Sequence, residues 1–222
     1  MATYAVRAPL VRWLALEAAR AHADLGPFRL VDVGCGQKPY QPLFRPYTTS
    51  YVGVDPVENP LAEVRGFVEA LPLPDASCDV ALCVQVFEHC DDPSKAVSEL
   101  ARITAPGGRV LVSTHGVMAY HPSPTDYWRW THAGLEKLFR DNAEWALVRV
   151  APASGTTACL GMIAALYLSL ALRRTHLGAL SRPVIAGINT AAEATDGRFA
   201  KLREPGPGTL FANYHVVAER PA

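Results

Sequence analysis

The chain has no charge of either sign to spare. Lysine plus arginine number 21 and aspartate plus glutamate number 21, so the formal net charge is zero. That removes the electrostatic case for DNA or RNA as the main partner. Cysteine is sparse and scattered: Cys35, Cys78, Cys83, Cys90 and Cys159 form no C-x-x-C pair. Neither a zinc site nor a redox pair is indicated. An odd set of isolated thiols fits a reduced, cytoplasmic setting better than a disulfide framework. No secretory signal is expected, because Arg7 and Arg12 interrupt the apolar core such a signal needs. Internal repeats and low-complexity linkers are also missing. With 50% apolar and 19% charged residues over 222 positions, wholesale disorder is excluded and one domain with a sizeable core is expected.

What is present alternates. Val6, Leu10, Trp13 and Leu14 recur at helical spacing, with Arg7, Arg12, Glu17 and Arg20 for the wet side. This predicts an amphipathic helix over 7–24, ended by Gly26 and Pro27. Strands are expected at Phe28 to Val33, Ser50 to Val54, Gly66 to Val68, Asp79 to Val84 and Arg109 to Ser113. The fourth has the near-continuous apolar character of a strand covered on both faces, with Asp79 anchoring its start. Ser94 to Ile103 reads as a helix whose Ala96, Val97, Leu100 and Ile103 share a face, and Pro106-Gly107-Gly108 reads as a turn. Trp145 to Val150 and Leu210 to Ala218 form a late strand pair. The fold class that follows is α/β: a Rossmann-like doubly wound sheet, mostly parallel with an antiparallel edge strand, and helices on both faces. A helical insertion or lid is expected over roughly 153–206, before the last strand.

The first strand runs into Val31-Asp32-Val33-Gly34-Cys35-Gly36, and the second ends in Asp55. Glycines at the carboxyl end of a first parallel strand let the backbone approach a ligand, and a carboxylate at the end of the second can hold a ribose diol. Dinucleotide enzymes and methyltransferases both use this geometry. The third glycine of G-x-G-x-x-G is missing, since Gln37, Lys38 and Pro39 follow Gly36, which counts against a nicotinamide-dependent oxidoreductase. Asp32 would repel a pyrophosphate and suits the ammonium of a methionine moiety.

Taken in order, VDVGCG, YVGVDP, EALPLPDASCDVALCVQVFEHCDDP and ELARITAPGGRVLVST resemble the successive motifs of class I S-adenosylmethionine-dependent methyltransferases, over about residues 28–142. More narrowly they are similar to small bacterial members with E-H and P-G-G signatures. HPSPTDYWRWT looks like a subgroup associated with glycan or secondary-metabolite pathways. The resemblance implies S-adenosylmethionine as cofactor. Asp32, Gly34 and Gly36 would surround its methionine part and Asp55 its ribose. Gln85 would sit beside the sulfonium and amino group, and Val68 and Glu69 would flank the adenine. Three positions depart from the pattern: Lys38 replaces a glycine, Phe67 an aspartate that contacts adenine, and Cys78 a frequent aromatic residue.

Glu88-His89 is read as a hydrogen-bonded pair bracing the cofactor loop. No metal is expected: His115, His121 and Asp126 would need a further ligand and a scaffold. His121 is the candidate general base, with Asp126 and Tyr127 as acceptor-positioning groups. Tyr120, Tyr127, Trp128 and Trp130 lie on the side where open sheets bind ligands, and suggest a small-molecule, glycan or lipid-linked acceptor, methylated on oxygen. A nucleoside-binding protein of the same fold without transfer activity is the non-enzymatic alternative. Ala158 to Leu172 carries no charge over 15 residues and is followed by Arg173-Arg174. It is short of the about 20 residues that span a bilayer, and apolar on every side. A second helix with Val184, Ile188, Ala192, Phe199 and Leu202 on one stripe would cover part of it. The hairpin is expected to be buried against the sheet or in a homodimer. The alternative is that it meets the inner face of a membrane through 158–174, with the two arginines on anionic headgroups.

Overall fold

The computed structural model describes residues 4–173 and 181–222. Helix α1 (Tyr4–Leu25) starts one turn before the predicted helix and puts Leu10, Leu14, Ala18 and Ala21 inside. The strands are β1 (Phe28–Val33), β2 (Thr48–Asp55), β3 (Val64–Arg65), β4 (Cys78–Val84), β5 (Thr104–His115), β6 (Leu147–Pro152) and β7 (Asn213–Glu219). They form one sheet in the order β3-β2-β1-β4-β5-β7-β6. Neighbours from β3 to β5 are parallel, and β7 runs antiparallel to both β5 and β6. The reversed strand is therefore inserted next to the edge, and β6 is the edge itself.

Alternation along the central strands splits the core into two layers. Leu30, Val80, Leu82, Leu111 and Val217 face α1 and the short α2 (Gln41–Phe44). Val31, Ala81, Cys83, Val110, Val112 and Val216 face α3 (Pro93–Ile103) and α4 (His132–Asn142). β4 is buried on both sides, as its composition requires. The α3 face is the predicted one, and the Asp92 carboxylate caps that helix by accepting from the backbone N–H groups of Ser94 and Lys95. Asp79 anchors the start of β4, accepting from the backbone N–H and guanidinium of Arg29 at 2.7–3.1 Å.

Two predicted elements move. The third strand is Val64–Arg65, not Gly66 to Val68. Pairing with β2 ends at Asp55–Arg65, and the chain then closes a bridge between Phe67 and Ala70, with Gly66 packed where a side chain would meet Pro72 at 2.5 Å. Pro106-Gly107-Gly108 is drawn into a single strand from Thr104. The register against β4 jumps from Cys78–Thr104 to Val80–Arg109, so the turn is a bulge inside β5.

The 153–206 insertion is a hairpin of α5 (Thr156–Arg173) and α6 (Ser181–Arg198), followed by a 3-10 turn at Ala200–Arg203. Ala158, Cys159 and Met162 of α5 pack with Val6 of α1, Ala212, Val117 and Met118. One side of α5 is thus internal, while Leu160, Tyr167 and Leu170 are exposed. The inward face of α6 is rotated from the predicted stripe. Ile185, Ala192 and Asp196 are buried, whereas Val184 and Phe199 are exposed. The Asp196 carboxylate sets this face, because it accepts from the backbone N–H groups of Thr157 and Ala158 at 3.0 Å and so caps α5. Arg174 and the side chain of Arg173 lie outside the described residues.

Candidate active site

At the carboxyl ends of β1, β2 and β4 lies a cavity of about 550 Å³, within the range of sites for drug-sized ligands. Its floor is the loop after β1. The N–H groups of Gly34 and Cys35 donate to the Val54 carbonyl at 2.8 and 3.0 Å, and Gly36 N–H donates to Asp55 Oδ2 at 2.9 Å. The loop is thereby clamped to the end of β2. Gly34 has φ +71°, and a side chain there would meet Val86 at 2.3 Å. No other residue fits between the loop and the strand end after β4.

Asp55 is buried and lines the cavity. Its carboxylate also accepts from Val57 N–H at 3.2 Å and the Asn59 amide at 3.4 Å. A carboxylate offers about four acceptor positions, which leaves capacity for a diol. Gln85, at the end of β4, is held at φ +57°. Its side-chain N–H₂ donates to Ser113 Oγ and Asn213 Oδ1, both at 3.0 Å. That fixes the amide orientation. Its buried Oε1 has no hydrogen-bond partner among the described residues, in a side chain that lines the cavity.

Val68, Glu69, Val57 and Phe67 line the cavity beyond Asp55. Glu69 Oε1 accepts from Asp91 N–H at 2.9 Å. Phe67, at the position where the resemblance expects an aspartate, is an exposed ring at this end. Asp32 and Gly36 stand outside the lining. The Asp32 carboxylate is 2% exposed and accepts from the Tyr51 hydroxyl at 2.6 Å. Burial pushes its pKa up to about 6, against the opposing pull of Tyr51 and then Lys38. Lys38 adopts φ +50° and pairs with both Glu63 oxygens at 2.6 Å. The left-handed backbone there is the conformation glycine takes at no cost, which accounts physically for the glycine expected at that place.

The facing wall comes from the 3-10 turn at Phe87–His89 and the loop between β5 and α4. His89, Ser123, Pro124, Thr125 and Tyr127 line it. Tyr127 and Trp128 donate their backbone N–H groups to the Glu88 carbonyl, and the Trp128 indole donates to Cys90 O at 2.7 Å. Of the three groups expected to serve the acceptor, Tyr127 reaches the cavity, and His121 and Asp126 stand behind it. His121 Nδ1 lies 3.1 Å from Asp126 Oδ2, and Arg129 holds both Asp126 oxygens. Hydrogen bonding to Arg129 pulls the Asp126 carboxyl down to about 2, against the effect of burial.

Glu88 is fully buried, accepts from Thr114 Oγ1 at 2.8 Å and lies 3.2 Å from His115 Nε2. Burial raises Glu88 to about 7 and lowers His115 to about 4. The bracing role expected of the E-H pair belongs to Glu88. His89 instead faces the cavity, with its ring 5.0 Å from that of His121. Its adjacency to Glu88, just past a buried strand, was the one signal available in the sequence.

Residues 31–112 match a family model described as a methyltransferase domain. A probable S-adenosylmethionine-dependent methyltransferase of Mycolicibacterium smegmatis is 36% identical over 103 residues, which cover 42% of this chain and 40% of that one. A malonyl-[acyl-carrier protein] O-methyltransferase of Serratia marcescens is 32% identical over 96 residues, covering 39% and 38%. The matched stretches thus span about two fifths of these relatives' length. Among solved structures, the YcgJ protein of Bacillus subtilis superposes with a TM-score of 0.54 at 20% identity, over 95% of this chain and 99% of that one. At that identity the likeness concerns the fold.

Proposed function

We propose that this chain, whose residues 31–112 match a methyltransferase domain, is an S-adenosylmethionine-dependent methyltransferase that transfers a methyl group to an oxygen of a small-molecule, glycan or lipid-linked acceptor. The observation that carries the cofactor assignment is the Gln85 side chain, whose carbonyl oxygen is buried without a partner among the described residues. A buried acceptor left unmade costs about 1–3 kcal/mol, and an ammonium group supplies the missing donors. Asp55 has acceptor capacity for a ribose diol, and the cavity is large enough for a nucleoside with an amino-acid tail. Bound there, S-adenosylmethionine supplies an electrophilic methyl on a sulfonium. The residues of this chain then hold the reactants in line and keep the site dry.

Acceptor oxygen is favoured by the groups on the facing wall. Tyr127 and Thr125 line the cavity, and the His121–Asp126 pair stands behind them as the nearest candidate base. The O-methyltransferase among the relatives points the same way. A lipid-linked acceptor fits the exposed apolar side of α5.

Calorimetry with S-adenosylmethionine, S-adenosylhomocysteine and NAD tests the reading. The first two should bind and NAD should not. Asp55→Ala should weaken binding by about 1–3 kcal/mol, since it removes a charged hydrogen-bonding group and frees Gly36 N–H from its partner. Tight NAD binding would sink the proposal. Binding of the two sulfur ligands with no labelled methyl reaching any acceptor would favour a binding module that has lost transfer.

A further inference from the structure

The wall facing the cofactor loop brings together a ligand set that no short motif displays. His89, His121 and Asp126 each place one potential ligand atom within 4.8 Å of the other two. The imidazoles are half-buried and the carboxylate is buried. Two of the ligand atoms follow from their neighbours. His89 Nδ1 lies 2.9 Å from the Thr125 carbonyl oxygen, which can only accept, so the proton sits on Nδ1 and the lone pair on Nε2. Metal-binding histidines are held in this way, with the second ring nitrogen donating to a carbonyl or carboxylate. His121 Nδ1 and Asp126 Oδ2 face each other at 3.1 Å, so an ion bound by both takes the place of the proton between them and leaves the His121 proton on Nε2.

We propose that His89, His121 and Asp126 form a binding site for a divalent transition-metal ion at the acceptor end of the cavity. His89 lines the same cavity as Gly34, Asp55 and Gln85, so the ion adjoins the space given to the cofactor. There it would grip an acceptor through an ionisable oxygen and make that oxygen more acidic. In that state His121 is a ligand, and the ion takes over the withdrawal of the acceptor proton. This use of the ion rests on the methyl-transfer reading; the binding of the ion does not.

Arg129 decides which ions fit. Its guanidinium holds both oxygens of Asp126, so an incoming cation must share that carboxylate and draw its affinity from the two imidazoles. Nitrogen-rich sites of this kind suit Zn²⁺, Co²⁺ and Ni²⁺, whereas Mg²⁺ and Ca²⁺ need several oxygens. A further neighbour is His115, whose ring lies 5.7 Å from that of His121 and whose Nε2 is 3.2 Å from Glu88 Oε1.

The test is direct titration of chelator-stripped protein, with Zn²⁺ by calorimetry and Co²⁺ by visible absorption. One ion per chain is expected, with Co²⁺ bands of nitrogen coordination and no response to Mg²⁺ or Ca²⁺. His89→Ala and His121→Ala should each weaken Zn²⁺ binding roughly 10-fold or more. His89→Gln and His121→Gln serve if the alanine variants fail to fold. Absence of stoichiometric Zn²⁺ or Co²⁺ binding overturns the proposal, as does binding untouched by these substitutions or equal affinity for Mg²⁺. If the metal binds and S-adenosylmethionine does not, the methyl-transfer reading fails and the metal site stands.

Discussion

At Asp32 a carboxyl group is held almost wholly out of water, and this has a measurable signature. Its pKa of about 6 in the folded chain lies above the about 3.9 of an exposed aspartate. The folded state therefore holds the proton more tightly than the unfolded one. The stability this contributes is complete below about pH 4 and is lost as the pH rises through about 6. Between pH 4.5 and 7.5 the loss is about 2 kcal/mol. Urea unfolding should show Asp32→Asn, which cannot ionise, gaining that much on wild type across the interval. Parallel stability profiles for the two proteins would mean that Asp32 is better solvated than the structure shows. A bound ammonium would offset the cost, so the charge of Asp32 is least favourable when the cavity holds no cation. Gly34 gives a second test at this scale. With φ +71° and Val86 at 2.3 Å from any added Cβ, Gly34→Val should abolish S-adenosylmethionine binding by calorimetry. Retained binding would put the ligand elsewhere.

At the scale of elements, α5 depends on a residue 38 positions away along the chain. Asp196 satisfies two N–H groups at the α5 N-terminus and places a negative charge at the positive end of the helix dipole. Asp196→Ala should lower stability by about 1–2 kcal/mol in thermal unfolding, with Asp196→Asn recovering part of it. A melting curve unchanged by the alanine would show that the hairpin docks without the cap. This is also why the α6 face was not legible in the sequence. An apolar stripe through Val184 and Phe199 looks inward, whereas the true inward face carries an aspartate, and only the partner helix explains it. The α5 surface left open by this docking is defined by Leu160, Tyr167 and Leu170. Among the described residues no helix is long and apolar enough to cross a membrane. If the acceptor is lipid-linked, the protein should float with anionic vesicles at low salt, and Leu170→Glu should abolish flotation without changing cofactor affinity. Protein that stays behind removes the membrane contact from consideration.

For the whole molecule, what could be read beforehand was whatever lies close together along the chain. The βα alternation, the α3 face, the glycine loop and Asp55 all announce themselves within a few residues, through periodicity or through punctuation by glycine and proline. The facing wall did not. His89 and His121 belong to different loops, and only the sheet sets their separation. Gln85 follows from the resemblance alone; its carbonyl oxygen lacks a partner among the described residues because the amide is anchored on Ser113 and on Asn213 of the last strand. That last strand has one more consequence. Since, among the described residues, β6 pairs in the sheet with β7 alone, and β7 separates it from β5, both β5 and β6 carry open edges until Asn213–Glu219 arrives. The 60 residues between Pro152 and Asn213 take about 3–12 s to synthesise at about 5–20 residues per second. For those seconds the ribosome displays two unpaired strand edges and an apolar hairpin, which invites a chaperone or a neighbouring nascent chain to occupy them first.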